Sequence, residues 1–292
     1  MKYQFIAEYA HEHSIALMCK VLDASRGGYY RFRQHIVRSR EIANVRLLQE
    51  IRIVHEESHG IYGSPRIFVE LRARGISCGR HRVERLMQGA GIVAKVRRRY
   101  RVTTRARKGA QYSPDRLQRR FDVERVHQVW TSDITYIWTS EGWLYLAVVL
   151  DLKTRMVVGW ATGERIDALL VCRAVGAAVT RYRPRGEVIL HSDRGSQYTS
   201  QALVKFIGQQ QVTFLQSHGL SCYDNAVTES FFHTLKTESV HFEHYETRLD
   251  GHRSLFHYIE VFYNRNRRHS SIGYLTPREK MQEQLNQTNQ KA

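Results

Sequence analysis

Hydrophobic spacing divides this chain near residue 125. Upstream, apolar residues recur every three or four positions, the period of a helix with one buried face. Ile42, Val45, Leu48, Ile51 and Val54 predict a helix over residues 41–57. A loop follows at residues 58–63, and Pro65 suits the first turn of a second helix whose apolar face is Ile67, Phe68 and Leu71. Gly75 ends that helix, and Ser77 is the expected cap of a third, which holds Arg80, His81, Arg82, Val83, Arg85, Leu86 and Met87. Helix, short glycine-containing turn, helix is the helix-turn-helix plan. Arg80, Arg82 and Arg85 then become candidate groove or phosphate contacts. A plain three-helix bundle with exposed arginines fits the same spacing. Nearer the N-terminus, residues 5–22 predict one or two short helices, broken by Ser25-Arg26-Gly27-Gly28. The aromatics and cations of residues 29–33 that follow suit either a nucleic-acid grip or a packing face.

Downstream the period changes to that of strands. V-W-T-S-D-I-T-Y-I-W, W-L-Y-L-A-V-V-L-D and M-V-V-G-W-A-T predict three consecutive strands, with turns at Ser140-Glu141-Gly142 and Lys153-Thr154. Residues 167–182 then predict a helix, V-I-L-H-S-D a fourth strand, residues 200–210 a helix and V-T-F-L-Q-S a fifth strand. A helix beginning near Asn225 and a last one over residues 253–264 complete the pattern. The polar residues 286–292 are expected to form a tail. The expected organisation is a helical segment (1–40), a helix-turn-helix-like domain (41–94), a basic linker (95–125) and an α/β domain (126–285).

Charge sharpens this division. Of the formal net charge of +17, residues 1–125 carry +15, from 27 lysines and arginines against 12 acids. Neutralising phosphates releases counterions, so a polyanion is the partner such a segment favours. Arg97, Arg98 and Arg99, in the basic run of residues 95–108, are expected to lie along a phosphate backbone. No apolar run reaches the length of a membrane span, and M-K-Y-Q-F-I-A-E lacks a signal-peptide pattern. The expected location is the cytoplasm, at the nucleoid. The four cysteines form no C-x-x-C pair and are expected to be reduced.

Three acids carry the candidate chemistry. Asp193 directly follows the apolar run Val188-Ile189-Leu190, where open α/β sheets place their sites. Asp133 lies inside a strand-like run, and a carboxylate there needs a compensating partner. Glu229 sits on a predicted helix, with 35 residues between it and Asp193. Two aspartates on strands and a glutamate on a helix can converge as hard oxygen donors of the kind that suits magnesium. Two such ions can clamp both oxygens of an in-line phosphoryl displacement. Asp151 reads as a turn residue rather than a fourth ligand, and Asp224 with Asn225 as the cap of the Glu229 helix. His191 and His233 are open between a DNA contact and a scaffold role.

Seven strings resemble one family. They are M-C-K-V-L-D-A-S-R-G-G-Y-Y (18–30), Y-G-S-P-R-I (62–67), W-T-S-D-I-T-Y (130–136), L-A-V-V-L-D (146–151), H-S-D-R-G-S-Q-Y (191–198), C-Y-D-N-A-V-T-E-S-F-F (222–232) and Y-N-R-N-R-R-H-S-S-I-G-Y-L-T-P (263–277). In this order they resemble the second-reading-frame product of bacterial insertion-sequence transposases, whose catalytic domain is like that of retroviral integrases. The resemblance implies a ribonuclease-H-like catalytic domain preceded by an all-α helix-turn-helix-like domain. It implies a DNA transposase that cleaves element ends and transfers strands. Asp133, Asp193 and Glu229 would hold two Mg2+ ions, with Mn2+ as a substitute. Lys236, two turns after Glu229, is expected near the DNA end, and Arg267 and Arg268 in Y-N-R-N-R-R-H are further expected DNA contacts. Expected partners are double-stranded DNA (element ends and target), an upstream-frame protein or a fusion with it, and further copies of the chain on DNA. Two alternatives stand beside it: a nuclease of the same fold that cuts without joining, and a DNA-binding regulator with an idle catalytic domain.

Overall fold

The computed structural model describes residues 1–33, 39–95, 113–219 and 222–291. The expected phosphate contacts Arg97, Arg98 and Arg99 lie outside them. Three short helices open the chain: α1 (Lys2–Glu8), α2 (Ile15–Val21) and α3 (Arg26–Arg33). Ile6, Met18, Cys19 and Tyr29 form a small core of their own, so Tyr29 belongs to packing while Tyr30 and Phe32 stay exposed.

The helix-turn-helix-like unit is α4 (Ser39–Glu57), α5 (Ser64–Ala73) and α6 (Arg80–Gly89). Pro65 sits in the first turn of α5, where no amide donor is required. Gly75 ends that helix in the left-handed region, at φ +78°. Its amide donates to the Arg72 carbonyl and that of Ile76 to the Leu71 carbonyl, the paired bonds of a Schellman stop. Ser77 does not cap the next helix; the N-cap position is Gly79, with no side-chain bond. Leu47, Ile51 and Val54 are the buried positions of α4, whereas Ile42 and Val45 are exposed.

The second domain is a five-stranded sheet of order β3-β2-β1-β4-β5. Its strands are β1 (Val129–Thr139), β2 (Gly142–Asp151), β3 (Val157–Gly163), β4 (Glu187–Ser192) and β5 (Thr213–His218). The first three are antiparallel neighbours, and β4 and β5 run parallel to β1. All five appear where the alternation predicts them, in the order of a ribonuclease-H-like fold. Helices α7 (Ala168–Tyr182) and α8 (Gln201–Gly208) pack on one face, around Val149, Val158, Ala174 and Leu190. Helices α9 (Ala226–Glu238) and α10 (Arg248–Phe256) and a wide π-type turn (His257–Tyr263) pack on the other. The last element is α11 (Pro277–Lys291).

Two boundaries differ from the expectation. The helix predicted over residues 253–264 starts earlier, because Thr247 and Asp250 form a reciprocal capping box. The polar tail is not separate, since α11 continues to Lys291. Asp151 is the expected turn residue. It is fully buried, and it accepts from the amides of His127 and Thr154 and from the Thr154 hydroxyl at 2.7–2.9 Å.

The two domains share one hydrophobic cluster, which runs from Leu47, Ile51, Ile67 and Met87 to Phe231, Leu235 and Phe262. Polar contacts close the seam. The Tyr62 hydroxyl donates to the Asn266 carbonyl at 2.9 Å and accepts from the Arg268 amide at 2.8 Å. Arg268 also binds Glu70 at 2.6 Å and the Tyr274 carbonyl. The Y-G-S-P-R and Y-N-R-N-R-R-H strings are therefore the two sides of one interdomain contact. No helix among the described residues is long and apolar enough to cross a membrane.

Candidate active site

Strand β4 pairs with β1 only from Val129 to Ser132, so Asp133 is the first residue of β1 beyond that partner. Asp193 directly follows β4. The parallel register sets Ser132 beside Ser192, and hence the two aspartates at neighbouring positions. Glu229 lies in the first turn of α9. Polar bonds between the neighbours of these acids fix the arrangement. The Thr228 hydroxyl donates to that of Thr131 at 2.7 Å, with both side chains fully buried. The Asn225 amide donates to the Ser132 carbonyl at 3.2 Å. The hydroxyls of Ser132 and Tyr198 meet at 2.9 Å, tying β1 to the loop that carries Asp193. Asn225 thus holds the N-cap position of α9 but spends its side chain on β1 rather than on a cap. Asp224 also departs from the expected capping role, since its carboxylate accepts from Arg119 at 2.7 Å.

Each acid also has local support. Asp133 Oδ1 accepts from the Ile134 amide at 2.7 Å, and Asp193 Oδ1 from the Gly195 amide at 3.0 Å. A Cβ at Gly195 would stand 3.0 Å from that same oxygen and 2.8 Å from Gln197 Oε1, so only glycine fits without a shift. His191 is scaffold. It is fully buried, and its Nε2–H donates to the Asp224 carbonyl, which leaves Nδ1 to accept from Ser217. Burial lowers its pKa, in keeping with that neutral tautomer. His233 is exposed on α9.

The three carboxyls sense one another. Burial first, then the charges of Asp193 and Glu229, push Asp133 up to about 8, against the Ile134 bond and Lys236. Burial also raises Asp193, and burial followed by the charge of Asp193 raises Glu229. They do not close into a ready-made cage: among the described residues no three acidic, histidine or cysteine side chains stand close enough to hold one ion. Hard oxygen donors held together against their mutual repulsion are nonetheless a set that a divalent cation fits.

The expected DNA contacts separate. Arg80 and Arg85 are exposed on α6. Arg82 is half-buried, its Nε donating to Asn44 Oδ1 of α4 at 2.8 Å. Lys236 is half-buried within reach of the Asp133 charge, its ammonium 4.8 Å from the centre of the Tyr136 ring. Arg267 and Arg268 are corrected. Arg267 is 3% exposed and binds Glu238 with two bonds of 2.7 and 2.8 Å, and Arg268 is spent on the interdomain seam. Their charges are used inside the protein, where a phosphate would have to displace a carboxylate.

Thr131, Tyr198 and Thr228 are supporting residues that sequence reasoning missed, and Asn225 is one it assigned to a cap. The signal of Thr131 and Thr228 was a polar side chain within two residues of an acid, in a run with apolar neighbours. Thr228→Val keeps the shape of the side chain and leaves the Thr131 hydroxyl only a 3.5 Å contact with the Leu150 carbonyl. It is expected to cost about 1–3 kcal/mol, read by chemical denaturation. The Thr131→Val/Thr228→Val pair is expected to cost less than twice the single change.

Comparison with known proteins agrees with this architecture. A model of an HTH-like domain matches residues 43–100, and two models of the integrase core domain match residues 123–218 and 229–285. The chain is 38% identical over 279 residues to transposase InsF for insertion sequence IS3A of Escherichia coli strain K12, covering 95% of this chain and 97% of that one. It is 38% identical over 260 residues to the insertion element IS600 uncharacterized 31 kDa protein of Shigella sonnei, covering 89% and 96%. Among solved structures, the catalytic core domain of BIV integrase aligns at 20% identity with a TM-score of 0.41, covering 56% of this chain and 98% of that one.

Proposed function

Since this chain belongs to the insertion-sequence transposases with an integrase core, and is thus a polynucleotidyl transferase acting on DNA, we propose that Asp133, Asp193 and Glu229 are its catalytic and metal-holding residues. The observation that carries this reading is geometric: β1, the end of β4 and the first turn of α9 bring the three acids to one place, with their neighbours hydrogen-bonded to one another. The family's chemistry calls for a divalent metal; two Mg2+ ions, or Mn2+ in their place, suit these oxygens. Once bound, such ions would stabilise charge on the phosphodiester and on the attacking and leaving oxygens.

The chain's own residues set the stage for that chemistry. Thr131, Asn225 and Thr228 fix the distance between α9 and β1, and with it that between Glu229 and Asp133. Gly195 and Ile134 aim one oxygen of each aspartate by a backbone amide. Lys236 supplies a positive charge beside Asp133, suited to a phosphate next to the scissile one. The exposed Arg80 and Arg85 of α6 are proposed to bind duplex DNA in the helix-turn-helix-like domain, with residues 96–112 between them and the catalytic domain. Further copies of the chain on DNA, an upstream-frame protein and a nucleoid location complete the proposal.

Strand transfer is the decisive assay. Purified chain, an oligonucleotide ending in the element's terminus with a free 3′ hydroxyl, and a supercoiled target are mixed with Mg2+. The expected product is oligonucleotide joined covalently to the target. Nicks without joining would turn the proposal into a same-fold nuclease.

A further inference from the structure

The β1–β2 hairpin runs on beyond the strands that β4 covers, as far as the pair Thr139–Gly142. One face of this arm is closed by α10, with Leu144 against Gly251. The other carries cross-strand pairs of aromatics, Trp138 opposite Trp143 and Tyr136 opposite Tyr145. Side chains two apart on a strand share a face, so these four rings form one surface. Trp138 is 56% exposed, Trp143 43% and Tyr136 41%. The Trp143 ring stands edge-on to both neighbours, 4.9 Å from Trp138 and 5.0 Å from Tyr136.

Charged groups border this surface, with Arg248 paired to Glu164 at 3.5 Å and Glu141 of the hairpin turn accepting from the Arg248 amide. Lys236 reaches Tyr136 from α9, and the Arg248 guanidinium donates to the Trp143 carbonyl. Tyr136 is three residues along β1 from Asp133, about 10 Å of strand and on the opposite face, but Lys236 lies near both. A surface of aliphatic side chains would suit another protein. Rings standing free beside the Lys236 ammonium, which also lies near Asp133 of the proposed phosphoryl-transfer centre, suit nucleobases, whose faces stack on aromatics whatever the sequence.

We propose that Tyr136, Trp138 and Trp143 form a stacking platform for unpaired nucleotides of the DNA end being processed. This inference rests on the proposed catalytic centre, because proximity to Asp133 selects the ligand. The platform separates the last bases from their complement and holds that strand where the acids can act on it. Stacking is worth about 1–3 kcal/mol per base, or roughly 5–150-fold in affinity.

The test is binding of the full chain, without divalent ions, to a blunt duplex and to the same duplex with a short unpaired overhang, read by anisotropy. Wild type is expected to favour the overhang by roughly tenfold or more. Trp138→Ala/Trp143→Ala should bring the two affinities together and leave that for the blunt duplex unchanged, while Trp138→Phe/Trp143→Phe keeps the preference. The alanine pair sits at exposed positions, and circular dichroism checks its fold. Equal affinity of wild type for both DNAs, or a preference that survives in the alanine pair, overturns the platform. A change of oligomeric state in the alanine pair with the preference intact overturns it too, and assigns the face to a second copy. Failure of strand transfer by wild type strikes the catalytic reading instead, since the binding comparison involves no chemistry.

Discussion

Glu229→Gln is expected to reduce end cleavage and strand transfer by at least about 10²–10³-fold, the loss typical of removing one group that stabilises a transition state. Duplex binding should survive, because the exposed arginines of α6 are untouched. The melting behaviour should separate this change from ordinary damage. Without a cation the wild-type carboxyls repel one another, and the amide removes one of those charges. The variant without metal should therefore melt at or above the wild-type temperature. Magnesium should stabilise wild type by about 2.7 kcal/mol at a hundredfold excess over its dissociation constant, and the variant by much less. A variant that gains as much from magnesium as wild type, or that still cleaves, would remove Glu229 from the site.

The same charges give the metal-free protein a pH dependence of definite sign. Asp133 titrates at about 8 in the folded chain and near 4 when unfolded. Between these values the unfolded chain has released a proton that the folded one retains. Stability is therefore lost as pH rises from about 4 through about 8, and none of this loss is present below the lower value. Metal binding must displace the retained proton, so magnesium affinity should rise over the same window.

Why were the acids legible when their surroundings were not? Asp133, Asp193 and Glu229 stand in short polar strings bounded by apolar runs, and period alone places them on two strands and a helix. The bonds that bring those elements together join residues far apart in the chain. Thr131 with Thr228 and Ser132 with Asn225 look like unremarkable polar positions until the sheet is formed. Basic residues were the harder case. Periodicity leaves Arg80, Arg82 and Arg85 equally good contacts, yet Arg82 is half-turned into α4. In Y-N-R-N-R-R-H, charge suggested DNA, while the carboxylates that claim Arg267 and Arg268 lie 29 and 198 residues away. The charge step near residue 125 likewise says nothing of the apolar contacts that cross it. Apolar residues of α4 and α5 are completed by those of α9 and the π-type turn, so a cut there would expose part of a shared core.

Glu238→Gln is expected to be among the most destabilising single substitutions in the chain. Glu238 ends α9, the helix that carries Glu229 and Lys236. Its carboxylate accepts two bonds from Arg267 and one from the Tyr258 hydroxyl at 2.8 Å, with Arg66 at 3.7 Å. Arg267 and Glu238 side chains are 4% and 9% exposed, so neither charge can turn to water. Burial together with Arg267, Arg155 and Arg66 holds His269 down to about 3, a sign of how cationic this pocket is. Removing one partner of a buried pair costs about 3–5 kcal/mol, which for a chain of this size corresponds to roughly 5–15 °C in melting temperature. Glu238→Gln should cost more than Arg267→Met, because the glutamate answers Arg66 as well. Glu238→Leu/Arg267→Met removes both charges and should recover part of the loss, since a buried pair gains little over apolar residues of similar volume while Arg66 still loses its carboxylate. The check is a double-mutant cycle by chemical denaturation, with strand transfer measured on the same proteins. If Glu238→Gln melts within a degree or two of wild type, the pair does not hold α9. If the double variant is stable but inactive, the pair serves catalysis through the position of the helix and not through stability alone.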